Sequence, residues 1–130
     1  LALVVGQRLV PRLCEDSKSA VELSGRTREL IDAEVRKMPD DVRRGVNMAA
    51  VKEMYQAKVS NLCPKGTRGR LGIFEVLEGT PGLQKVILEK ATPENLAAEA
   101  TRQGFITMRQ DGILKVLQGV IGLEDLIESI

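Results

Sequence analysis

The stretch from Cys63 to Leu77, "CPKGTRGRLGIFEVL", decides how the rest of the chain is interpreted. It carries glycines at every third position (66, 69 and 72), three basic residues and one of the chain's two cysteines. Its second part, 71–77, has the apolar and aromatic character of a β-strand. A Walker-type phosphate loop needs Gly-Lys-Ser/Thr between a strand and a helix, and no Gly-Lys-Ser/Thr occurs in the sequence. The stretch is therefore predicted to be a glycine-rich turn that leads into a strand.

The composition is that of a folded protein without obvious catalytic groups. Of the 130 residues, 43% are hydrophobic and 28% charged, which argues against disorder. Aromatic residues make up only 2%, so the core is expected to be aliphatic, and stacking platforms for single-stranded nucleic acid are lacking. The absence of histidine excludes a histidine-activated nucleophile. No catalytic or nucleotide-binding residue is predicted.

Charge is distributed unevenly along the chain. Residues 1–70 carry 14 Lys or Arg and 9 Asp or Glu, whereas residues 71–130 carry 5 and 9. This asymmetry fits two solvated surfaces of different sign, or an attraction between the two halves or between neighbouring subunits. The basic half also leaves open a nucleic-acid-binding module, although acidic residues are interleaved with one of its basic clusters.

Local patterns predict a mainly α fold with a few short strands. Residues 8–14 are predicted to form a strand with Pro11 at an edge or a bulge, and residues 15–21 a loop. Two charged helices are expected within residues 22–58. After Gly79, Thr-Pro helix starts, a Thr107–Gln110 capping box and stop glycines predict a small bundle of about four helices.

The two cysteines each lie in half of a possible metal knuckle. Cys14-Glu15-Asp16-Ser17 and Ser60-Asn61-Leu62-Cys63 resemble Cys-x-x-Cys with one sulfur replaced by oxygen. A structural zinc site normally has four Cys or His ligands, and a neutral serine hydroxyl is a poor one. We therefore expect two ordinary reduced cysteines and no stoichiometric zinc.

Three segments together resemble the secretion ATPases that drive type II secretion and type IV pilus assembly. They are VVGQRLVPRLC (4–14), GTRGRLGIFEVL (66–77) and GFITMRQDGILKVLQGVIGLEDLIESI (104–130). The family shows Gln-Arg-Leu-Val-x-x-Leu-Cys, Gly-Tyr-x-Gly-Arg-x-Gly-Ile-x-Glu and Thr-Met-x-x-Asp-Gly-x-x-Lys in the same order. Thr67 stands where the family usually has Tyr, and the match is poorest over 15–60.

The resemblance implies the organisation of the chain. Residues 1–14 would be the end of a RecA-like α/β core, and residues 66–78 a glycine-rich turn and strand. Residues 15–65 would be a charged helical insertion in place of a tetracysteine zinc subdomain, with Cys14 and Cys63 as remnants of its zinc site. Residues 79–130 would be a C-terminal helical domain. The chain begins in the middle of a pattern and is expected to be a fragment, with the Walker boxes upstream.

The resemblance also implies a mechanical function. The parent would be a homohexamer that binds ATP and Mg²⁺ in its core, lies in the cytoplasm at the inner membrane and moves a membrane platform protein. This chain is expected to hold no cofactor, small-molecule substrate or nucleic acid, and to hydrolyse no ATP alone. A stand-alone helical interaction module is the alternative. Seven family-matching positions are structural or interface candidates: Gln7, Arg8, Gly69, Arg70, Glu75, Asp111 and Gly112.

Overall fold

The computed structural model describes residues 3–130, so the first two residues of the predicted core segment 1–14 lie outside the described residues. Along the described chain two strands, two helices and a 3₁₀ turn, two more strands and four helices follow one another, and the strands pair into two separate antiparallel sheets. In chain order the elements are β1 (Leu3–Leu13), β2 (Ser19–Glu22), α1 (Gly25–Arg36), α2 (Asp40–Arg44), a 3₁₀ turn (Met48–Ala50), β3 (Glu53–Gln56), β4 (Thr67–Glu78), α3 (Pro81–Glu89), α4 (Pro93–Arg102), α5 (Met108–Leu117) and α6 (Leu123–Ser129).

The two longest strands, β1 and β4, pair along their whole length as an antiparallel ribbon. The register runs from Leu3 opposite Glu78 to Pro11 opposite Arg70 and then shifts before Leu13. Gly69 lies at this shift with φ +73, the left-handed conformation that bulges often require. The prediction of a strand over 8–14 with Pro11 at an edge or a bulge is confirmed in kind, although the strand begins earlier, at Leu3. The register shifts just after Pro11, where a residue without an N–H is tolerated.

The prediction of a mainly α fold is wrong. The chain is 44% helical and 23% strand, and the four C-terminal helices do not form one bundle. Helices α3 and α4 pack on each other as a hairpin, whereas α5 packs on β4 and α1, and α6 packs on β1 and α5. The strands were underestimated because β4 begins at Thr67, within the glycine-rich turn, and is stabilised by pairing with β1 rather than by its own composition.

The middle of the chain also differs from the two helices expected in 22–58. Helix α1 is present, but α2 ends at Arg44, and residues 53–56 form β3, which pairs with β2. Met54 and Tyr55, within the region expected to be helical, lie instead on β3 opposite Val21 and Ala20. Local periodicity could not reveal this because the pairing partner lies outside the segment.

The core is aliphatic, as the composition predicts. Its buried side chains come from the ribbon, from α1 and from the α5–α6 region, and β2 and β3 lie over one side. The buried cluster comprises Val10, Leu23, Ile31, Val35, Met38, Ile73, Ile113, Val116, Ile121 and Leu126.

The predicted starts of three C-terminal helices are confirmed. The Thr80 and Thr92 hydroxyls accept hydrogen bonds from the backbone N–H groups of α3 and α4, with proline following each cap. Thr107 and Gln110 form a complete capping box on α5. Among the helices of residues 3–130, none combines the length and hydropathy that a bilayer crossing requires.

Gly112 lets α5 and α6 approach closely. A Cβ atom at this position would lie 2.2 Å from Leu126 Cδ1, inside van der Waals contact. Leu126 is itself buried, so its side chain has little freedom to move away.

We expect Gly112→Ala to lower the free energy of unfolding by about 1–3 kcal/mol through overpacking, although alanine is the better helix former. Urea unfolding monitored by circular dichroism measures this. Gly122→Ala is the matched control, because its Cβ would meet nothing nearer than 3.7 Å. Unchanged stability of Gly112→Ala would contradict the close packing.

Candidate functional site

Two carboxylates join the ribbon to α5 by a reciprocal exchange of hydrogen bonds. Glu75 on β4 accepts a hydrogen bond through Oε2 from Met108 N at the start of α5, at 3.0 Å. Asp111 on α5 accepts one through Oδ2 from Phe74 N on β4, at 2.9 Å. We call these two interactions the β4–α5 clamp. Because each element supplies a carboxylate to the other's backbone, neither can shift without breaking both bonds.

The local charges favour the clamp. Glu75 places a negative charge at the N-terminus of α5, where unpaired N–H groups give a positive partial charge. Lys115, one turn after Asp111, donates to Asp111 Oδ2 at 2.6 Å and balances its charge. The same ammonium lies 6.0 Å from the centre of the Phe74 ring.

The edge of β4 opposite β1 is capped a second time near its end. Glu78 N donates to Gln103 Oε1 at 3.0 Å, and Gln103 Nε2 donates to the Glu78 carbonyl at 2.9 Å. Side chains from the helical half therefore satisfy the strand's edge at Phe74 and Glu78, which leaves fewer backbone groups open to another strand.

A cleft of about 380 Å³ lies beside the clamp. Both phenylalanines of the chain line it, Phe74 from β4 and Phe105 from the turn before α5, together with Val76. Phe74 remains 42% exposed. Two acids line it as well: Asp111, which already accepts from Phe74 N and Lys115, and the exposed Glu78 at the end of β4. The apolar part of the cleft suits contact with an apolar side chain.

The structure brings some of the seven sequence candidates together and separates others. Glu75 and Asp111 form the clamp, and the buried Gly112 follows directly. Gln7 lies opposite Phe74 on the neighbouring strand and is exposed. The remaining three are exposed on the ribbon away from the clamp: Arg8 opposite Ile73, Gly69 at the bulge and Arg70 opposite Pro11.

Two residues that form hydrogen bonds in this region, Lys115 and Gln103, were not among the seven sequence candidates. Lys115 had a signal, since it follows Asp111 by four residues and lies in the quoted Thr-Met-x-x-Asp-Gly-x-x-Lys motif. Gln103 had none, because its role depends on the end of α4 coming to rest beside the end of β4.

An ion pair within α4, with a buried carboxylate, joins α4 to the start of α3. Glu99 is only 6% exposed and accepts hydrogen bonds from Arg102 Nε and Thr80 Oγ1, each at 2.8 Å. The Arg102 hydrogen bonds, followed by that of Thr80, lower the pKa of Glu99 from 4.5 to about 2. A Cβ at Gly82 would lie 2.8 Å from the carboxylate, so glycine leaves room for the ion pair.

The expectation of two reduced cysteines is wrong. Cys14 and Cys63 are joined in a disulfide, with their Cα atoms 6.4 Å apart and 49 positions apart in sequence. The ends of β1 and of the turn before β4 meet because the strands pair, and the Cys14 N–H donates to the Gly66 carbonyl. Spacing along the sequence could not show this proximity.

The zinc ion that the resemblance implies does not fit these residues. Both sulfurs are used in the disulfide, and the two remaining knuckle positions are hydroxyls, of which Ser60 Oγ already accepts from Cys63 N. Within residues 3–130 no group of three or more His, Cys, Asp or Glu side chains is arranged to hold a metal. The expectation that the chain binds no zinc stays a prediction.

Comparisons with known proteins give a consistent result across the chain. A family described as "Type II/IV secretion system protein" matches residues 1–128. The chain is 32% identical over 123 residues to the type IV pilus assembly ATPase PilB of Pseudomonas aeruginosa, which covers 95% of this chain and 20% of that protein. It is 33% identical over 128 residues to the type II secretion system ATPase E of Vibrio cholerae, covering 95% and 22%. The chain thus spans about a fifth of the length of these relatives.

We expect Asp111→Ala to release the edge of β4 from α5. Losing a charge-assisted acceptor should speed hydrogen exchange at the Phe74 amide by a factor of about 10, measured by NMR on the labelled chain. Asp40→Ala removes another aspartate that pairs within its own helix, here with Arg43 on α2, and should leave the Phe74 amide unchanged. Equal protection in the two variants would contradict the clamp.

The lowered pKa of Glu99 predicts a specific pH dependence. Because the folded state favours the ionised form, Glu99 contributes stability above pH 4.5 that is lost as the pH falls towards 2. Glu99→Gln should therefore flatten the decline of the free energy of unfolding over that range, measured by urea titration at several pH values. Glu94→Gln, on the exposed side of the same helix, should keep the parental slope. A parental slope in Glu99→Gln would refute the assignment.

Proposed function

The chain belongs to the type II/IV secretion system protein family, and from that membership we propose that it forms the junction between the ATPase core and the C-terminal helices of a secretion or pilus-assembly motor. Since it spans about a fifth of its relatives, ATP hydrolysis belongs to the longer protein in this proposal. The sequence supports this division because it holds no Gly-Lys-Ser/Thr loop for the phosphates. ATP and Mg²⁺ would bind in the core, and this chain would transmit the resulting movement.

The β4–α5 clamp is the observation that carries the proposal. A motor that couples a chemical cycle to displacement needs a stiff connection between the part that changes shape and the part that contacts its load. Glu75 and Asp111 make the ribbon and α5 move together, since each carboxylate holds a backbone N–H of the other element. The Glu99 ion pair joins α4 to α3, and the two hydrogen bonds between Gln103 and Glu78 add this hairpin to the same unit.

The ribbon offers a surface for the rest of such a motor. Val5 lies opposite Val76, and together with Leu9 and Phe74 they form an exposed apolar face, each side chain being 42–52% exposed. In the proposed assembly this face packs on the core, a role that would also employ the exposed candidates Gln7 and Arg70, whose positions alternate onto the same side of the ribbon.

The last helix, α6, supplies an acidic surface. Burial and the neighbouring Glu128 and Glu124 raise the pKa of Asp125, which reports an acidic cluster on α6. We propose that α6 serves contacts with neighbouring subunits of a homohexamer or with the platform protein. The motor would then work in the cytoplasm at the face of the inner membrane.

A chimera tests the proposal. The matching segment of the Pseudomonas aeruginosa pilus assembly ATPase is replaced by this chain, and ATP hydrolysis and pilus assembly are both measured. We expect the chimera to hydrolyse ATP, whereas the 130-residue chain alone releases no phosphate above background. Asp111→Ala in the chimera should retain hydrolysis but reduce pilus assembly several-fold, because the core would turn over without a stiff connection.

The surface of α2 provides the control for this experiment. Asp40→Ala removes a salt bridge of similar type on an exposed helix and should leave both readouts unchanged. Pilus assembly by the Asp111→Ala chimera equal to that of the parental chimera would refute the transmission role. Phosphate release by the isolated chain would refute the division between core and junction.

A further inference from the structure

The Cys14–Cys63 disulfide closes a large segment of the chain at its two ends. The segment between the cysteines contains β2, α1, α2 and β3, and so holds most of the residues that connect the two long strands. Both cysteines are buried, 3% and 2% exposed. The bond is therefore a covalent cross-link inside the fold, at the point where the connecting segment leaves β1 and returns to β4.

Hydrogen bonds join and shape the two turns in addition to the disulfide. Cys14 N donates to the Gly66 carbonyl at 3.2 Å, and Gly66 N donates to the Cys63 carbonyl at 2.9 Å. The Ser60 hydroxyl accepts from Cys63 N at 3.0 Å. Gly66 has φ +75, and a Cβ there would lie 2.9 Å from Lys58 N, so the turn is closely packed. One backbone hydrogen bond thus links the two turns beside the disulfide, and two more fix the turn that carries Cys63.

The same turn contacts the helical end of the chain. Leu13, adjacent to Cys14, donates its N–H to the Val120 carbonyl at 2.9 Å. Lys18, in the turn that follows, donates to the Gly119 carbonyl at 2.9 Å. Both acceptors lie in the connection between α5 and α6. Breaking the disulfide between the turns is therefore expected to affect the position of the α5–α6 connection, which these two hydrogen bonds hold.

We propose that the Cys14–Cys63 bond is a reversible, redox-controlled clasp that takes the place of a metal cross-link and sets the stability of residues 15–62. Serines at two of the four knuckle positions leave the sulfurs free to bond to each other, which a zinc ion would prevent. Disulfides of proteins in reducing compartments are mostly transient or redox-sensing rather than permanent. The redox control rests on the proposed function for its reducing, cytoplasmic surroundings, whereas the effect of the bond on residues 15–62 is measured on the isolated chain and can fail separately.

The exchange reaction needs a small-molecule thiol, its disulfide and a local opening of the turns that exposes the buried sulfurs. In oxidation, one protein thiolate attacks the disulfide of oxidised glutathione and releases one glutathione thiol. The second protein thiolate then attacks the mixed disulfide, forms the Cys14–Cys63 bond and releases the second glutathione. The protein loses two protons and two electrons, which the glutathione disulfide gains as it becomes two glutathione thiols. Reduction reverses both steps.

The experiment equilibrates the 130-residue chain at a series of ratios of reduced to oxidised glutathione. Alkylation after acid quenching and intact mass spectrometry report the fractions of dithiol and disulfide. We expect full conversion between the two forms, with a melting temperature lower by on the order of 10 °C in the reduced form, because closing a loop of this length restricts the unfolded chain. Hydrogen exchange in residues 15–62 should rise on reduction, while the paired centres of β1 and β4 stay protected.

A double variant and a metal titration complete the test. Cys14→Ser with Cys63→Ser should melt near the reduced form at every glutathione ratio, and a response of this variant to the ratio would overturn the proposal. Equal melting temperatures and equal exchange of the oxidised and reduced parental chain would also overturn it, and this measurement needs no variant to fold. Binding of one zinc per reduced chain with recovery of the melting temperature would show a metal site instead.

Discussion

The pairing of β1 with β4 is the constraint on which the rest of the structure depends. These strands lie at opposite ends of a connecting segment of more than fifty residues, and their register fixes what meets at each end. At the bulge end the pairing brings Cys14 beside Cys63 and presents Leu13 to the α5–α6 connection. Further along, it presents the free edge of β4 to α5. Without the ribbon neither the disulfide nor the clamp could form.

The clamp uses backbone groups that would otherwise be exposed. A two-stranded ribbon is marginally stable alone and leaves open edges. Asp111 and Gln103 satisfy the edge of β4, and Glu75 satisfies the start of α5, so one set of hydrogen bonds protects the strand and anchors the helix. Because the same hydrogen bonds serve the strand and the helix, the ribbon and α5 keep a fixed arrangement over a small, aliphatic core. The same stiffness supports the proposed junction role in a secretion or pilus-assembly motor.

The turns that carry Cys14 and Cys63 have a shape that either a bound metal or a disulfide could cross-link. The glycine at 66 and the backbone hydrogen bonds around it set the shape of the turns, and the cross-link is added to that shape. Serine cannot replace cysteine as a metal ligand, but it can accept a backbone hydrogen bond, as Ser60 does from Cys63 N. The turn geometry is therefore compatible with a disulfide. The proposed redox clasp follows from the presence of serine, instead of cysteine, at two of the four knuckle positions.

The sequence by itself determined the family, the aliphatic core, the strand after the glycine-rich turn, the bulge at Pro11 and the starts of α3, α4 and α5. These features depend on residues within one turn or one strand of each other, such as Thr107 with Gln110, so local chemistry is enough to specify them. Only the tertiary structure decided that 53–56 is a strand, that the C-terminal helices form two separate pairs, that Cys14 bonds Cys63 and that Gln103 caps Glu78. Each of these depends on a partner far away in sequence, and the long-range pairing of β1 with β4 that brings such partners together leaves no local signal.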